Sequence, residues 1–319
     1  MQEANVFWGV DVAKAELVIS RHPAAGAAIA IGNDEVSINR WLKQLSANSY
    51  VAMESTGRYH AQFATLALAA GMRVYVLNAK DVYFYAKALG ARGKTDASDA
   101  AVIARYVAEH HAALHPWVPG TPVQQRLMDL LERRATLVKH RVSLRQTLGD
   151  TPELTAEAQG LDAHFDALLA ALDAQVKALR ASDARLEHAC VNLQTLVGVG
   201  AQSATLLGVL FSRFNFANAD AVVAYSGLDP RPCDSGMRKG KRRLSKRGPP
   251  DLRRMLYLMS LAACRSEQFN GWYQSLKARG FAGTQALIIL ARKLLRIAYA
   301  MWKHDQPFKP SLLAAKGVV

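Results

Sequence analysis

Residues 6–20 read VFWGVDVAKAELVIS, and the fold turns on them. An apolar strand pattern is interrupted at Asp11 and then resumes, which is how a hairpin opening a mixed sheet reads. Outward from it, a helical pattern runs from about Ile38 to Leu45. The strand SYVAMEST ends near Glu54, a helix spans about Tyr59 to Ala70, and MRVYVLN supplies a further strand. Strands alternating with helices predict an α/β domain. After RGKTDASDA, the run AAVIARYVAEHHAAL has helical periodicity, so Asp96 and Asp99 stand at a helix start with Thr95 or Ser98 as cap.

Pro116, Pro119 and Pro122 mark a linker. From about Val123 to Cys190 strand signals vanish. Leu, Ala, Arg and Glu recur at three- and four-residue spacing, with one break around Gly149 to Pro152. Two long helices, forming an antiparallel or dimerising coiled coil, fit that pattern. From Leu193 a helical segment leads into a Gly-, Pro- and Arg-rich loop at Tyr225 to Pro250, and the remainder is mostly helical. The expected organisation is an α/β domain over residues 1–120, a coiled-coil spacer or dimerisation region over 121–190, and a mainly α domain over 191–319.

In a chain of 319 residues, 40 Lys and Arg face 26 Asp and Glu, a formal charge of +14. Polyanions are therefore the natural partners, nucleic acid first and an anionic membrane surface second. No charge-free apolar stretch reaches the roughly 18 residues of a membrane span. The start MQEANVFWGVDVAK lacks a signal-peptide pattern, so a cytoplasmic, nucleoid-associated protein with no membrane partner is expected. Cys190, Cys233 and Cys264 form no CxxC pair, which argues against a disulfide framework and a cysteine zinc site. The histidines His60, His110, His111 and His115 read mostly as solvated helix or turn residues, and the stripe Leu287, Leu290, Leu294, Ile297 and Trp302 reads as core.

Four carboxylates occupy positions that suit metal chemistry on phosphodiesters. Asp11 interrupts an apolar strand, Glu54 closes another before the turn STGR, and Asp96 and Asp99 lie three residues apart at a helix start, with Arg92 and Lys94 beside them. Taken singly, each has a bland reading as a turn former, cap or dipole partner. Together, in strand, strand, helix order, they suggest a shared divalent cation, since a carboxylate inside VFWGVDVA is costly to bury without a partner. Two magnesium ions roughly 4 Å apart would activate the attacking oxygen and stabilise the leaving one.

Gly198 and Gly200 in LVGVGAQSATLL separate two helical patterns, as in a helix-hairpin-helix whose backbone amides grip a phosphate; the alternative is a tight turn packed in the core. Between Arg231 and Arg254 stand ten basic residues: Arg231, Arg238, Lys239, Lys241, Arg242, Arg243, Lys246, Arg247, Arg253 and Arg254. Only Asp234 and Asp251 oppose them, a net 10 − 2 = +8, and Gly236, Gly240 and Gly248 are expected to keep the loop open. If about six of these side chains meet phosphates, affinity falls roughly as the fifth power of salt concentration. Ser235 and Ser245 lie within this segment, and a serine hydroxyl becomes a nucleophile only with a base, a metal or strong phosphate polarisation.

GVDVAK, AMESTGRYH and GKTDASDA, followed by YSGLDP, SGMRKGKRRLSKRG and LRRMLY, resemble the DEDD transposases of the insertion-sequence 110 type, over almost the whole chain. That family includes Piv-like DNA invertases and bridge-RNA-guided recombinases of mobile elements. The resemblance implies an RNase H-like (RuvC-like) amino-terminal domain whose Asp11, Glu54, Asp96 and Asp99 bind Mg2+, and a carboxy-terminal transposase domain whose serine links covalently to DNA. Ser235, in its Ser-Gly pair, matches that nucleophile ahead of Ser245. It further implies a homodimer or homotetramer with a composite site, and an element-encoded guide RNA that selects the DNA. Cys233 before the serine and Pro249-Pro250 after Gly248 depart from the family pattern. Two rival readings stand beside it, a RuvC-like endonuclease using metal-activated water, and a non-catalytic protein that packages nucleic acid.

Overall fold

The structure, a computed structural model, describes residues 6–311 apart from 24, 25, 56, 58, 91, 92, 94, 236–239 and 241. The chain divides into two compact units, Met1–Pro119 and Gly120–Val319.

The first unit is a five-stranded mixed sheet with helices on both faces. In chain order its elements are β1 (Phe7–Val12), β2 (Glu16–His22), β3 (Ile29–Gly32), α1 (Glu35–Leu42), β4 (Tyr50–Glu54), α2 (His60–Ala69), β5 (Arg73–Leu77), α3 (Ala79–Ala88) and α4 (Asp96–His110). The strand order is β3-β2-β1-β4-β5. β1 pairs antiparallel with β2, the expected hairpin, with Asp11 opposite Val18, and β3 extends that edge. On its other side β1 runs parallel to β4, and β4 parallel to β5.

Alternation along the strands divides the core. Val10, Val12, Val51 and Met53 turn to one face, where Ile38, Trp41 and Phe63 of α1 and α2 cover them. Phe7, Tyr50, Ala52 and Tyr75 turn to the other, under Val82 of α3 and Ile103 and Val107 of α4. A side chain of this size, fully buried, contributes about 1.5–3 kcal/mol, so register is strongly specified here.

The second unit is helical. It comprises α5 (Pro122–Leu148), α6 (Thr155–Ala181), α7 (Ala184–Gln194), α8 (Ala201–Arg213), α9 (Ala219–Ser226), a two-residue ladder of β6 (Pro230–Arg231) with β7 (Arg243–Leu244), then α10 (Pro250–Ala263), α11 (Glu267–Ala278) and α12 (Gly283–His304). Thr121 caps α5 through a box with Gln124, and Pro122 fills the first turn, where a missing N–H costs nothing. The break between the two long helices falls where the sequence placed it. They pair antiparallel: Arg134 bonds Asp173, Arg141 bonds Asp166 and Asp162, and Arg145 bonds Asp162. Leu127, Leu130 and Leu131 of α5 and Val176 of α6 join one core with α7 to α12, so segments 121–190 and 191–319 share their hydrophobic interior. Leu287, Leu290 and Leu294 are buried in it, with Ile297 and Trp302 packed against it, as the stripe implied. Among the described residues no helix is long and apolar enough to cross a membrane.

Candidate active site and nucleic-acid interface

Gly9 positions the acidic corner. A Cβ there would lie 2.1 Å from the carbonyl oxygen of Ala100 and 2.2 Å from the amide of Ala104, so the α4 backbone rests directly on β1. Phe7, two residues earlier on the same face, meets His111 just beyond α4, with ring centroids 5.0 Å apart. Helix and strand therefore run in opposite directions. Two residues beyond Gly9 advance the strand by about 6.6 Å, the length of four to five helical residues at about 1.5 Å each. That step carries Asp11 level with the start of α4, where Asp96 and Asp99 are.

Glu54 reaches the same corner by register. The parallel pairs Phe7 with Tyr50 through Val10 with Met53 end one step short of Asp11 and Glu54, which stand next in line on adjacent strands. Neighbours in register point to the same face of a sheet. Asp11 and Glu54 thus point to the face of the sheet that α4 covers, and Asp96 and Asp99 stand in the first turn of α4. Asp96 is exposed, and Asp11, Glu54 and Asp99 are half-buried.

Thr95 caps α4 by accepting from the Ser98 amide at 3.1 Å, while the Ser98 hydroxyl accepts from the Thr95 amide at 3.0 Å. Both residues named as caps from sequence therefore act together. The helix start favours negative charge in its first turn. Among the described residues no three His, Cys, Asp or Glu side chains lie close enough to hold a metal ion. The four acids match a hard divalent cation in kind, being oxygen donors only. Arg58, Arg92 and Lys94 lie outside the described residues.

In the second unit, the two glycines of the turn between α7 and α8 differ. Gly198 has φ of +90°, and a Cβ there would meet the Met259 carbonyl at 2.4 Å, so this turn is pressed against α10. Gly200 is exposed, and as the N-cap of α8 it offers no side-chain cap to the first-turn amides. Gly198 is thus part of a packed turn, whereas Gly200 stands at an exposed helix start.

The basic segment forms a hairpin on the β6–β7 ladder. Arg238, Lys239 and Lys241, together with Gly236, lie outside the described residues. Arg231, Arg242, Arg243, Lys246 and Arg247 are exposed, while Arg253 and Arg254 on α10 are half-buried. Two of its glycines bring backbones together rather than holding the loop open. A Cβ on Gly240 would lie 2.0 Å from the Cys233 carbonyl, and one on Gly248 would lie 2.0 Å from that of Tyr225. Both acids within the segment are already engaged. Asp234 accepts from Arg242 at 2.8 Å and from the Gly240 amide at 3.1 Å, and Asp251 pairs with Lys139 at 3.3 Å.

Ser235 is exposed, next to the anchored Asp234. Ser245, half-buried, donates its hydroxyl to the Asp229 carboxylate, and its amide reaches the Asp229 carbonyl at 3.0 Å. Asp229 escaped the sequence reading because GLDP looks like an ordinary turn; only the ladder brings it to a serine sixteen positions on. Cys233 is exposed, and Cys190 and Cys264 are buried.

Residues 8–151 match the family model of the DEDD transposases of IS110, described as a transposase, and residues 190–274 match one described as the Transposase IS116/IS110/IS902 family. The chain is 27% identical to the pilin gene-inverting protein of Moraxella lacunata, over 86% of this chain and 87% of the relative. It is 25% identical to the insertion element IS900 uncharacterized 42 kDa protein of Mycobacterium paratuberculosis, over 97% and 98% of the two chains. Against the insertion element IS110 uncharacterized 43.6 kDa protein of Streptomyces coelicolor it is 30% identical, over 46% of this chain and 35% of the other. The first matched segment contains all four carboxylates; the second contains Gly198, Gly200, both serines and the basic hairpin.

Proposed function

Since the chain belongs to the IS110-type transposases, we propose that it is a DNA recombinase in which Asp11, Glu54, Asp96 and Asp99 form the acidic centre and Ser235 is the nucleophile. The observation that carries this reading is the gathering of Asp11 and Glu54, neighbours in register, beneath the start of α4. The strand order β3-β2-β1-β4-β5, antiparallel on one side of β1 and parallel on the other, supports an RNase H-like (RuvC-like) assignment. The antiparallel α5–α6 pair supports the coiled-coil assignment.

The four carboxylates would hold Mg2+, which when bound supplies positive charge to the phosphodiester oxygens. This chain's own residues do the remainder. The exposed arginines and lysines of the hairpin hold the phosphate backbone without reading bases. Ser235 Oγ attacks phosphorus, the bond to one DNA strand's oxygen breaks, and the serine's proton is passed on as that oxygen leaves as a hydroxyl. A DNA hydroxyl then attacks the phosphoserine diester and regenerates the serine, so strands rejoin without an external energy source. Ser235 and the carboxylates, 136 positions apart from Asp99 to Ser235, operate as a composite site in a homodimer or homotetramer on the nucleoid, with a guide RNA from the element selecting the DNAs.

The Ser245–Asp229 hydrogen bond favours a second assignment, because a carboxylate accepting from a serine hydroxyl is also how a nucleophile is activated. Strand exchange with the DNA flanking the reading frame, in magnesium, separates the two. Wild type is compared with Ser235→Ala, Ser245→Ala and Asp11→Ala while covalent protein–DNA adducts are scored. An adduct lost only in Ser235→Ala and Asp11→Ala supports the proposal, and one lost in Ser245→Ala but kept in Ser235→Ala transfers the role to Ser245. Cutting without any adduct that survives both serine changes, yet needs Asp11, means a RuvC-like nuclease. Indifference to Asp11→Ala means a non-catalytic binder.

A further inference from the structure

Ten basic residues stand between Arg231 and Arg254, and an acid among them works against the charge that draws DNA. Asp251 is engaged from outside the hairpin, by Lys139 of α5. Asp234 is engaged from within it, by Arg242 and Gly240. It also immediately precedes Ser235, where the proposed reaction needs a negatively charged phosphodiester to arrive. A carboxylate at that position repels the substrate, so its presence calls for a physical role.

The geometry supplies one. One carboxylate oxygen of Asp234 accepts from Arg242 Nη1 at 2.8 Å, and the other accepts from the Gly240 amide at 3.1 Å. The backbones alongside are in close approach, since a Cβ on Gly240 would lie 2.0 Å from the Cys233 carbonyl oxygen and 3.3 Å from the Cys233 Cβ. Cys233 and Asp234 on the outgoing limb are therefore pressed against Gly240 and Arg242 on the returning limb, and one side chain ties the two together. The β6–β7 ladder, Pro230 with Leu244 and Arg231 with Arg243, lies nearer the root. Asp234 thus closes the hairpin beyond the last pair of the ladder, and Ser235 is the first residue past that closure.

With both oxygens engaged, Asp234 is not the base that takes the serine proton. Arg242 matches its charge, which softens the repulsion toward an incoming phosphate. Both side chains of this ion pair are exposed, and an exposed pair adds little to the stability of the whole chain. Its effect is local: it fixes the backbone on the amino-terminal side of Ser235.

We propose that Asp234 is a positioning residue for Ser235, tying the two limbs of the hairpin so that the serine Oγ meets the phosphodiester, at some loss of DNA affinity. This rests on the reading of Ser235 as the nucleophile. Ser245 lies on the other side of the ladder, bonded to Asp229, and a reaction carried by Ser245 would not depend on Asp234 in this way.

The test uses the full chain with magnesium and a short labelled duplex from the element's end, and compares Asp234→Ala and Asp234→Asn with wild type. Asp234→Ala should form the covalent adduct roughly tenfold or more slowly at saturating DNA, as expected when a reacting group is misplaced by under an ångström. Its DNA affinity should equal or exceed that of wild type, because an opposing charge has left the segment. A hairpin that merely lost its structure would bind more weakly as well, so the split between rate and affinity separates positioning from collapse. Asp234→Asn keeps an oxygen for the Gly240 amide and should recover a large part of the rate. A wild-type adduct rate in Asp234→Ala, or rate and affinity falling together, would overturn the proposal. Ser235→Ala is run in parallel: an adduct that survives it overturns the serine assignment and this inference with it, whereas an adduct that needs Ser235 yet forms normally in Asp234→Ala overturns the inference alone.

Discussion

Asp11 and Glu54 ride on strands whose register is set by buried neighbours on both faces, whereas Ser235 stands on a loop held by a two-residue ladder and a few hydrogen bonds to Asp234 and Asp229. One region is rigid before any ligand arrives. The other concentrates like charge on little backbone support. The difference teaches how the two halves of the proposed chemistry would divide: the fold itself places Asp11 and Glu54, whereas the proposed serine would depend on bound nucleic acid for its placement.

That contrast can be broken most sharply at Asp11. Asp11→Ala should leave the urea unfolding midpoint near wild type and slow single-turnover strand exchange by about 10³-fold, the scale of losing a preorganised electrostatic group. A fall of less than tenfold would show that the corner does not carry the chemistry.

Gly9 tests whether the corner depends on the helix crossing. Gly9→Val drives a side chain into the α4 backbone and should destabilise the chain by about 3 kcal/mol in urea titration, with activity falling further than stability accounts for. Gly160→Ala is the control. A Cβ there meets nothing within 4 Å in α6, and the change should stabilise by roughly 0.8 kcal/mol.

The hairpin should respond in the opposite manner. Gly240→Ala collides with the Cys233 carbonyl, so DNA affinity is expected to drop on the order of tenfold, about 1.4 kcal/mol, while the unfolding midpoint stays put. Fluorescence anisotropy and thermal melting on the same sample decide it. A large melting shift would mean that the hairpin is as integral as the sheet.

The smallest effect concerns acid. Arg145 and Arg141 hold the Asp162 carboxyl down at about 2, below its ordinary 3.8. A folded-state value below the unfolded one means the contribution is fully present above the ordinary value and is lost as pH falls from about 4 through about 2. Asp162→Asn should therefore flatten the decline of melting temperature in that window and leave DNA cleavage at neutral pH unchanged.

Much of the first unit was legible in sequence because its strands alternate under strong burial. The VFWGVDVAKAELVIS hairpin, the strand ending at Glu54 and the capped start at Thr95 all appear where periodicity and capping chemistry put them. β3 escaped, being four residues with two exposed, and so did α3, where Tyr83 and Phe84 are exposed and blur the helical stripe. The grouping of Asp11 with Glu54 was expected from residue type and order, whereas the parallel register that makes them neighbours is encoded by no local pattern. Gly240 and Gly248 misled for the same reason: a glycine's sequence context does not reveal whether it opens a loop or admits a neighbouring backbone.

The long helical pair imposes a constraint of its own. As the α5 position rises from 134 through 141 to 145, its partner on α6 falls from 173 through 166 to 162, step for step. Residues inserted in one helix must be matched by as many in the other, or the arginine and aspartate rows slip past one another. Relatives with arms of other lengths should therefore differ by paired insertions, close to whole heptads, on the two sides of the 149–154 turn.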